Sequence, residues 1–179
     1  MDNLRKSFYW GQSNNYGSIL WDIVEIIKLI FSILVCQFAG FIGSFFTFPS
    51  IPTWYKNLKK PSFAPPNWVF APVWVTLYTL MGISLFIVLR ADLGNLSVQL
   101  ALLIFGIQLA LNVLWSFVFF RLRSLLGGLV TIAVLWIAIF LTILSFLNIS
   151  LLAGLLLVPY IIWSSFAAFL NYSILVLNK

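Results

Sequence analysis

Three stripes of aromatic and amide side chains carry this sequence's capacity for recognition. Gln108, Asn112, Trp115 and Phe119 recur at i, i+4, i+7 and i+11, the spacing that puts residues on one face of a helix. Phe70, Trp74 and Tyr78 form a second stripe. Tyr160, Trp163 or Ser164, Ala167 and Asn171 form a third, in which Ala167 beside Trp163 leaves space for something flat. All three stripes lie in apolar runs, where polar groups are costly without partners, so their faces turn inward. Any one of them is explained by core packing or by hydrogen bonds between helices. Three converging suit a large, planar, mostly apolar guest, whose faces stack on rings while a few amides and hydroxyls fix its orientation.

Other chemistry is excluded by what is absent. With no histidine and a single cysteine, the chain cannot build the usual zinc ligand sets, a Cys–His pair, a Ser–His–acid triad or a histidine-ligated haem. No metal site is expected. Cys36 lies in an apolar helix and reads as a small buried hydrophobe. The four acids, Asp2, Asp22, Glu25 and Asp92, do not face one another inside a span, which argues against hydrolysis by paired carboxylates. No charge falls at the centre of a span, so there is neither a proton relay nor a coupling-ion site. Glu25 and Lys28, near the start of the first span, read as snorkelling or pairing at the interface.

The elements that must position these stripes follow from composition. The chain has 179 residues, 63% hydrophobic and 8% charged, with a mean hydropathy of +1.09. A soluble domain carries about 25% charged residues, so this is an integral membrane protein, and nucleic-acid binding is excluded. Crossing the hydrocarbon takes about 20 apolar residues, and five such runs occur, approximately 23–47, 68–89, 97–120, 125–147 and 150–177. The fold class is therefore an all-α bundle of five transmembrane helices. Residues 1–22 read as a polar N-terminal extension without a signal peptide, with Trp10 and Trp21 at the interface; residues 23–179 read as the transmembrane domain.

Six of the seven prolines, Pro49, Pro52, Pro61, Pro65, Pro66 and Pro72, fall between the end of the first span and the first turns of the second. Proline cannot donate inside a helix, so residues 51–66 are expected to form a structured loop. The remaining links are short and make neighbouring helices antiparallel. Pro159 is expected to bend the fifth span. Lys56, Lys59, Lys60, Arg121, Arg123 and Lys179 lie on one side and Arg5, Lys6, Lys28 and Arg90 on the other, which puts the proline-rich loop and the C-terminus in the cytoplasm. No internal repeat is evident. Gly106 with Ala110, Ala39 with Gly43, and Gly40 with Ser44 are small residues four apart, each able to admit a second helix closely, within the bundle or in a homodimer.

The stretch Trp54-Tyr55-x-x-Leu58-x-Lys60-Pro61-x-x-x-Pro65-Pro66-x-Trp68-x-Phe70-x-Pro72-Val73-Trp74-x-x-Leu77-Tyr78-x-x-Met81-Gly82 resembles the signature of the TspO/MBR family, the tryptophan-rich sensory and translocator proteins. The segments Gln108-Leu109-x-Leu111-Asn112-x-x-Trp115-Ser116 and Pro159-Tyr160-x-x-Trp163-x-x-Phe166-Ala167 resemble its third and fifth helices. The resemblance covers roughly residues 23–178. It implies a five-helix bundle, often a homodimer, with a pocket beneath the loop between helices one and two. The implied ligands are porphyrins such as protoporphyrin IX and haem and, in animals, cholesterol and benzodiazepine-type compounds. Carried onto this sequence, the ligand-contacting positions are Trp54, Tyr55, Trp74, Tyr78, Asn112, Trp163 and Ala167; Trp115 joins them from the third-helix stripe. Pro61, Pro65 and Pro66 would shape the loop. The proposed sterol motif is missed narrowly, since Lys179 follows Tyr172 after six residues where one to five are required.

The leading expectation is thus a membrane receptor or translocator-like protein for tetrapyrroles, in porphyrin homeostasis, transport or stress signalling, needing no cofactor. A bacterial membrane is favoured over the mitochondrial outer membrane. The alternatives are a light-dependent porphyrin-degrading enzyme using pocket tryptophans, passive transport of the ligand, and a scaffold that binds membrane partners through its small-residue faces.

Overall fold

A computed structural model describes the backbone from Asp2 to Lys179 and side chains from Leu20 onward. Six helices account for the five spans: α1 (Asp2–Thr47), α2 (Phe70–Leu89), α3 (Leu96–Ser116), α4 (Leu125–Leu147), α5 (Leu151–Leu156) and α6 (Val158–Leu177). The segments long and apolar enough to cross a membrane are Leu20–Thr47, Asn67–Leu89, Leu96–Arg121, Leu125–Leu147 and Leu151–Leu177, within three residues of the boundaries expected from hydropathy. The helical backbone of α1 also runs through the N-terminal extension. Trp10 falls outside the described side chains, whereas Trp21 is exposed.

Short links work because each carries its own cap. Asn95 Oδ1 accepts from the Ser97 N–H at 2.9 Å, opening α3, and Ser124 Oγ accepts from the Gly127 N–H at 3.0 Å, opening α4. Ser150 Oγ does the same for Ala153 at the start of α5. These are donors that a helix start otherwise leaves without partners. Pro159 does more than bend the fifth span: the helix stops at Leu157 and restarts, with proline in the first turn of α6, where its missing N–H is tolerated.

α1 packs along α2 and α3, α3 along α4, and α4 along α5 and α6, while α2 meets α5. In the half of the bundle away from the proline-rich loop, small residues bring backbones together. A Cβ on Gly82 would stand 2.5 Å from Ile33 Cα, and Ser84 Oγ donates to the Ala153 carbonyl at 2.7 Å. Phe105 and Phe146 stack at 5.5 Å beside the fully buried Met81 and Val88. At this end Glu25 pairs with Lys28 at 3.0 Å and with Arg90 at 2.8 Å. The small residues of α1 face inward: Gly40 lies against the Tyr78 ring and Gly43 against Ser116 Oγ. Gly106 is different, for a Cβ there meets open space, and with Ala110, Leu103 and Ile107 it forms an exposed face of α3.

Candidate functional site

Towards the loop the bundle opens into a cavity of about 360 Å³, within the roughly 300–1,000 Å³ typical of small-molecule sites. Trp74, Tyr78, Trp115 and Phe119 make its aromatic wall, and Tyr55 closes it from the loop. Trp74 lies 5.5 Å from Tyr78, stacked, and 6.5 Å from Trp115; Trp115 in turn stacks on Phe119 at 5.6 Å. No Asp, Glu, Lys or Arg is among the lining residues. The outer rim is formed by Phe41 and Phe48 of α1 and its extension and by Ala71 and Val75 of α2, all exposed, so the cavity opens sideways between these two helices.

The floor is polar and cross-linked by hydrogen bonds. Tyr78 OH donates to Asn112 Oδ1, and Asn112 Nδ2 donates to Tyr160 OH at 2.8 Å, tying α2, α3 and α6 together with three side chains. Gln37 Nε2 donates to the Val75 carbonyl and to Thr79 Oγ1, both at 3.0 Å, and so closes α1 on α2 below the opening. Asn171 also lines the wall; with its amide turned so that nitrogen meets a carbonyl and oxygen an N–H, it donates to the Leu125 carbonyl at 3.1 Å and accepts from Leu129 N–H at 2.9 Å. The indole N–H of Trp115, in contrast, has no hydrogen-bond partner among the described residues. It is a buried donor in the wall, available to an acceptor on a guest.

The roof depends on a local irregularity. After Ser116 the third span widens into a π-helical turn, Phe117–Arg121, the kind of bulge that recurs at functional sites. It places two successive rings, Phe119 and Phe120, on the inner side. Ser50 Oγ donates to the Phe120 carbonyl at 2.9 Å, and Tyr55 packs its ring on both phenylalanines. Burial raises the Tyr55 phenol above its ordinary pKa, so it stays neutral. Lys60 Nζ lies 4.5 Å from the centre of the same ring, a cation–π contact.

Six of the eight proposed ligand-contacting residues come together here: Tyr55, Trp74, Tyr78, Asn112, Trp115 and Ala167 line the cavity. Trp54 and Trp163 stand behind the lining, Trp54 edge-on to Phe119 at 5.5 Å and Trp163 edge-on to Phe70 at 6.0 Å. Of the loop-shaping prolines, Pro61, Pro65 and Pro66 belong to the segment without regular helix between Asn57 and Asn67. Gln108, one turn below Asn112, is buried outside the lining with both amide atoms unpartnered among the described residues. The contribution of α1, through Gln37, Gly40, Gly43 and Ser44, was missed by the aromatic stripes. Its signal was the small-residue spacing, which reads equally well as packing.

Five apolar helices around an aromatic cavity with an uncharged lining define a multi-pass membrane protein. The TspO/MBR family model matches residues 32–177, and the chain belongs to that family. It is 47% identical over 155 residues to the "Tryptophan-rich protein TspO" of Chlorobaculum tepidum, covering 86% of this chain and 98% of the relative. The protein of the same name from Archaeoglobus fulgidus is 48% identical over 155 residues, 87% and 99% of the two chains. The human "Translocator protein" is 38% identical over 137 residues, 75% and 80%.

Proposed function

We propose that this protein binds a tetrapyrrole, protoporphyrin IX or haem, in the cavity beneath the proline-rich loop, as a receptor or translocator-like protein in porphyrin homeostasis, transport or stress signalling. The observation that carries the reading is the wall of Trp74, Tyr78, Trp115 and Phe119, continuous ring surface with one buried, unpartnered donor in Trp115. Stacking on such a wall suits a flat conjugated ring, and a macrocycle larger than the closed volume has room through the gap between α1 and α2. The open Gly106 and Ala110 face of α3 supports a homodimer.

Ala167→Phe tests this. Ala167 is small, buried and part of the lining, so a phenyl ring there fills the cavity without removing a hydrogen bond. In lipid nanodiscs, protoporphyrin IX should quench tryptophan fluorescence saturably in the wild type, and at least about tenfold weaker in the variant. Equal, non-saturating quenching in both would refute the reading. A second reading, light-dependent porphyrin degradation, is supported by the two indoles, Trp74 and Trp115, that share the wall at 6.5 Å. Illumination of the bound porphyrin should then bleach it faster in wild type than in Trp115→Phe; equal rates would remove that chemistry.

A further inference from the structure

Asn178, one residue beyond α6, uses every hydrogen-bonding atom of its side-chain amide. Oδ1 accepts from the Lys59 N–H at 3.0 Å, and Nδ2 donates to the Lys59 carbonyl at 2.9 Å and to the Ile174 carbonyl at 2.8 Å. One amide therefore grips both backbone groups of a single loop residue, as a neighbouring strand would, while its remaining hydrogen caps the end of α6.

The position of the grip matters. Lys59 is separated by one residue from a segment that contains Pro61, Pro65 and Pro66, residues that have no backbone N–H to offer. Among the described residues, the other polar tether from loop to bundle is Ser50 Oγ on the Phe120 carbonyl, nine positions earlier. Between the two tethers lie Ile51 and Tyr55, both in the cavity lining. On the helix side, Ile174 lines the cavity with its side chain and is bound by Asn178 through its carbonyl. Beyond the grip, Phe63 stacks on Phe169 of α6 at 5.2 Å, an apolar contact that can slide where a two-point amide contact cannot.

We propose that Asn178 is a latch: it fastens the roof of the cavity to the end of α6, and its opening sets how fast a guest leaves on the loop side. Asn178 does not line the cavity, so it is a positioning residue. The inference rests on the cavity holding a guest, and it predicts a kinetic role where packing alone predicts a small loss of stability. With the latch undone, the roof between Ser50 and Lys59 is held at one polar point and swings locally, the kind of gating that loops over binding sites provide.

The experiment uses the full chain in nanodiscs, with wild type, Asn178→Ala and Asn178→Asp. Aspartate keeps the acceptor for Lys59 N–H and loses both donors. Two readouts are taken: hydrogen exchange of the peptide containing Lys59, which needs no guest, and the dissociation rate of protoporphyrin IX by stopped-flow recovery of tryptophan fluorescence. Asn178→Ala should speed both by about tenfold, with Asn178→Asp in between and the midpoint of thermal unfolding little moved. Faster exchange with an unchanged dissociation rate would overturn the gating role. Unchanged exchange would overturn the latch itself. A wild type that binds no porphyrin saturably is a separate failure, that of the tetrapyrrole reading, and it takes the gating role with it.

Discussion

The two halves of the bundle solve opposite problems. Away from the loop, glycines at 82 and 154 let helices touch, and the interior is closed by Met81, Val88, Ile139 and Phe146, all essentially without exposure. Towards the loop, rings on α2 and α3 face the small residues of α1 across a cavity, and the Tyr78–Asn112–Tyr160 link ties the helices together beneath it. In a membrane, helices gain little from expelling apolar side chains, because lipid is as apolar as they are; close packing and hydrogen bonds hold the bundle together. The closed half therefore supplies the rigidity, and the open half can keep a void. A void in an aromatic wall forgoes dispersion contacts, a cost that makes sense where a guest restores them.

That division is open to attack by substitution. The largest effect is expected at Gly82, where any side chain drives into the Ile33 backbone: Gly82→Leu should lower stability by about 3 kcal/mol, read as loss of the folded protein on thermal unfolding in detergent. If Gly82→Leu is tolerated, the closed half is not the rigid one. Next comes Asn112→Leu, which strips the Tyr78 and Tyr160 hydroxyls of their partner and should cost about 1–2 kcal/mol in the same assay. Tyr78→Phe, leaving the ring in the wall, should cost less than Asn112→Leu, since it removes one of the two hydrogen bonds; the reverse order would mean that Asn112 is not the centre of the link. The smallest effect belongs to Gly106→Leu. Its Cβ meets open space, so monomer stability should stay within about 0.5 kcal/mol, and a change in apparent size by light scattering would assign that face to a second copy.

Much of this was legible in the sequence, because the constraint on a membrane span is severe. A span must satisfy its own backbone and face hydrocarbon, so hydropathy placed the helix ends within three residues. The stripes of α2 and α3 were legible for the same reason: an amide such as Asn112 is admitted to hydrocarbon only with partners. Asn178 and Ser50 escaped notice because their partners are backbone atoms 119 and 70 residues away, and a backbone carbonyl leaves no mark on sequence. Trp163 shows the limit of spacing. Ser164, not Trp163, is the buried neighbour of Tyr160 and Ala167 on α6, and the sequence offered both. The π-helical turn was invisible, since one extra residue at the end of a span does not disturb the hydropathy that announces it.

That turn carries a consequence for inheritance. A π-helical turn holds one residue more than the α-helix it interrupts, so Phe117–Arg121 takes one codon that a regular turn would not need. Loss of a codon there would let the turn close to a regular α-helix with its flanks kept in register, but with one residue fewer on the inner side, so that Phe119 and Phe120 could no longer both meet Tyr55. The span would still cross the membrane and the chain would keep its composition. A lineage comparison by residue counts between Ser116 and Ser124 would therefore separate chains able to build this roof from chains that merely share the five helices.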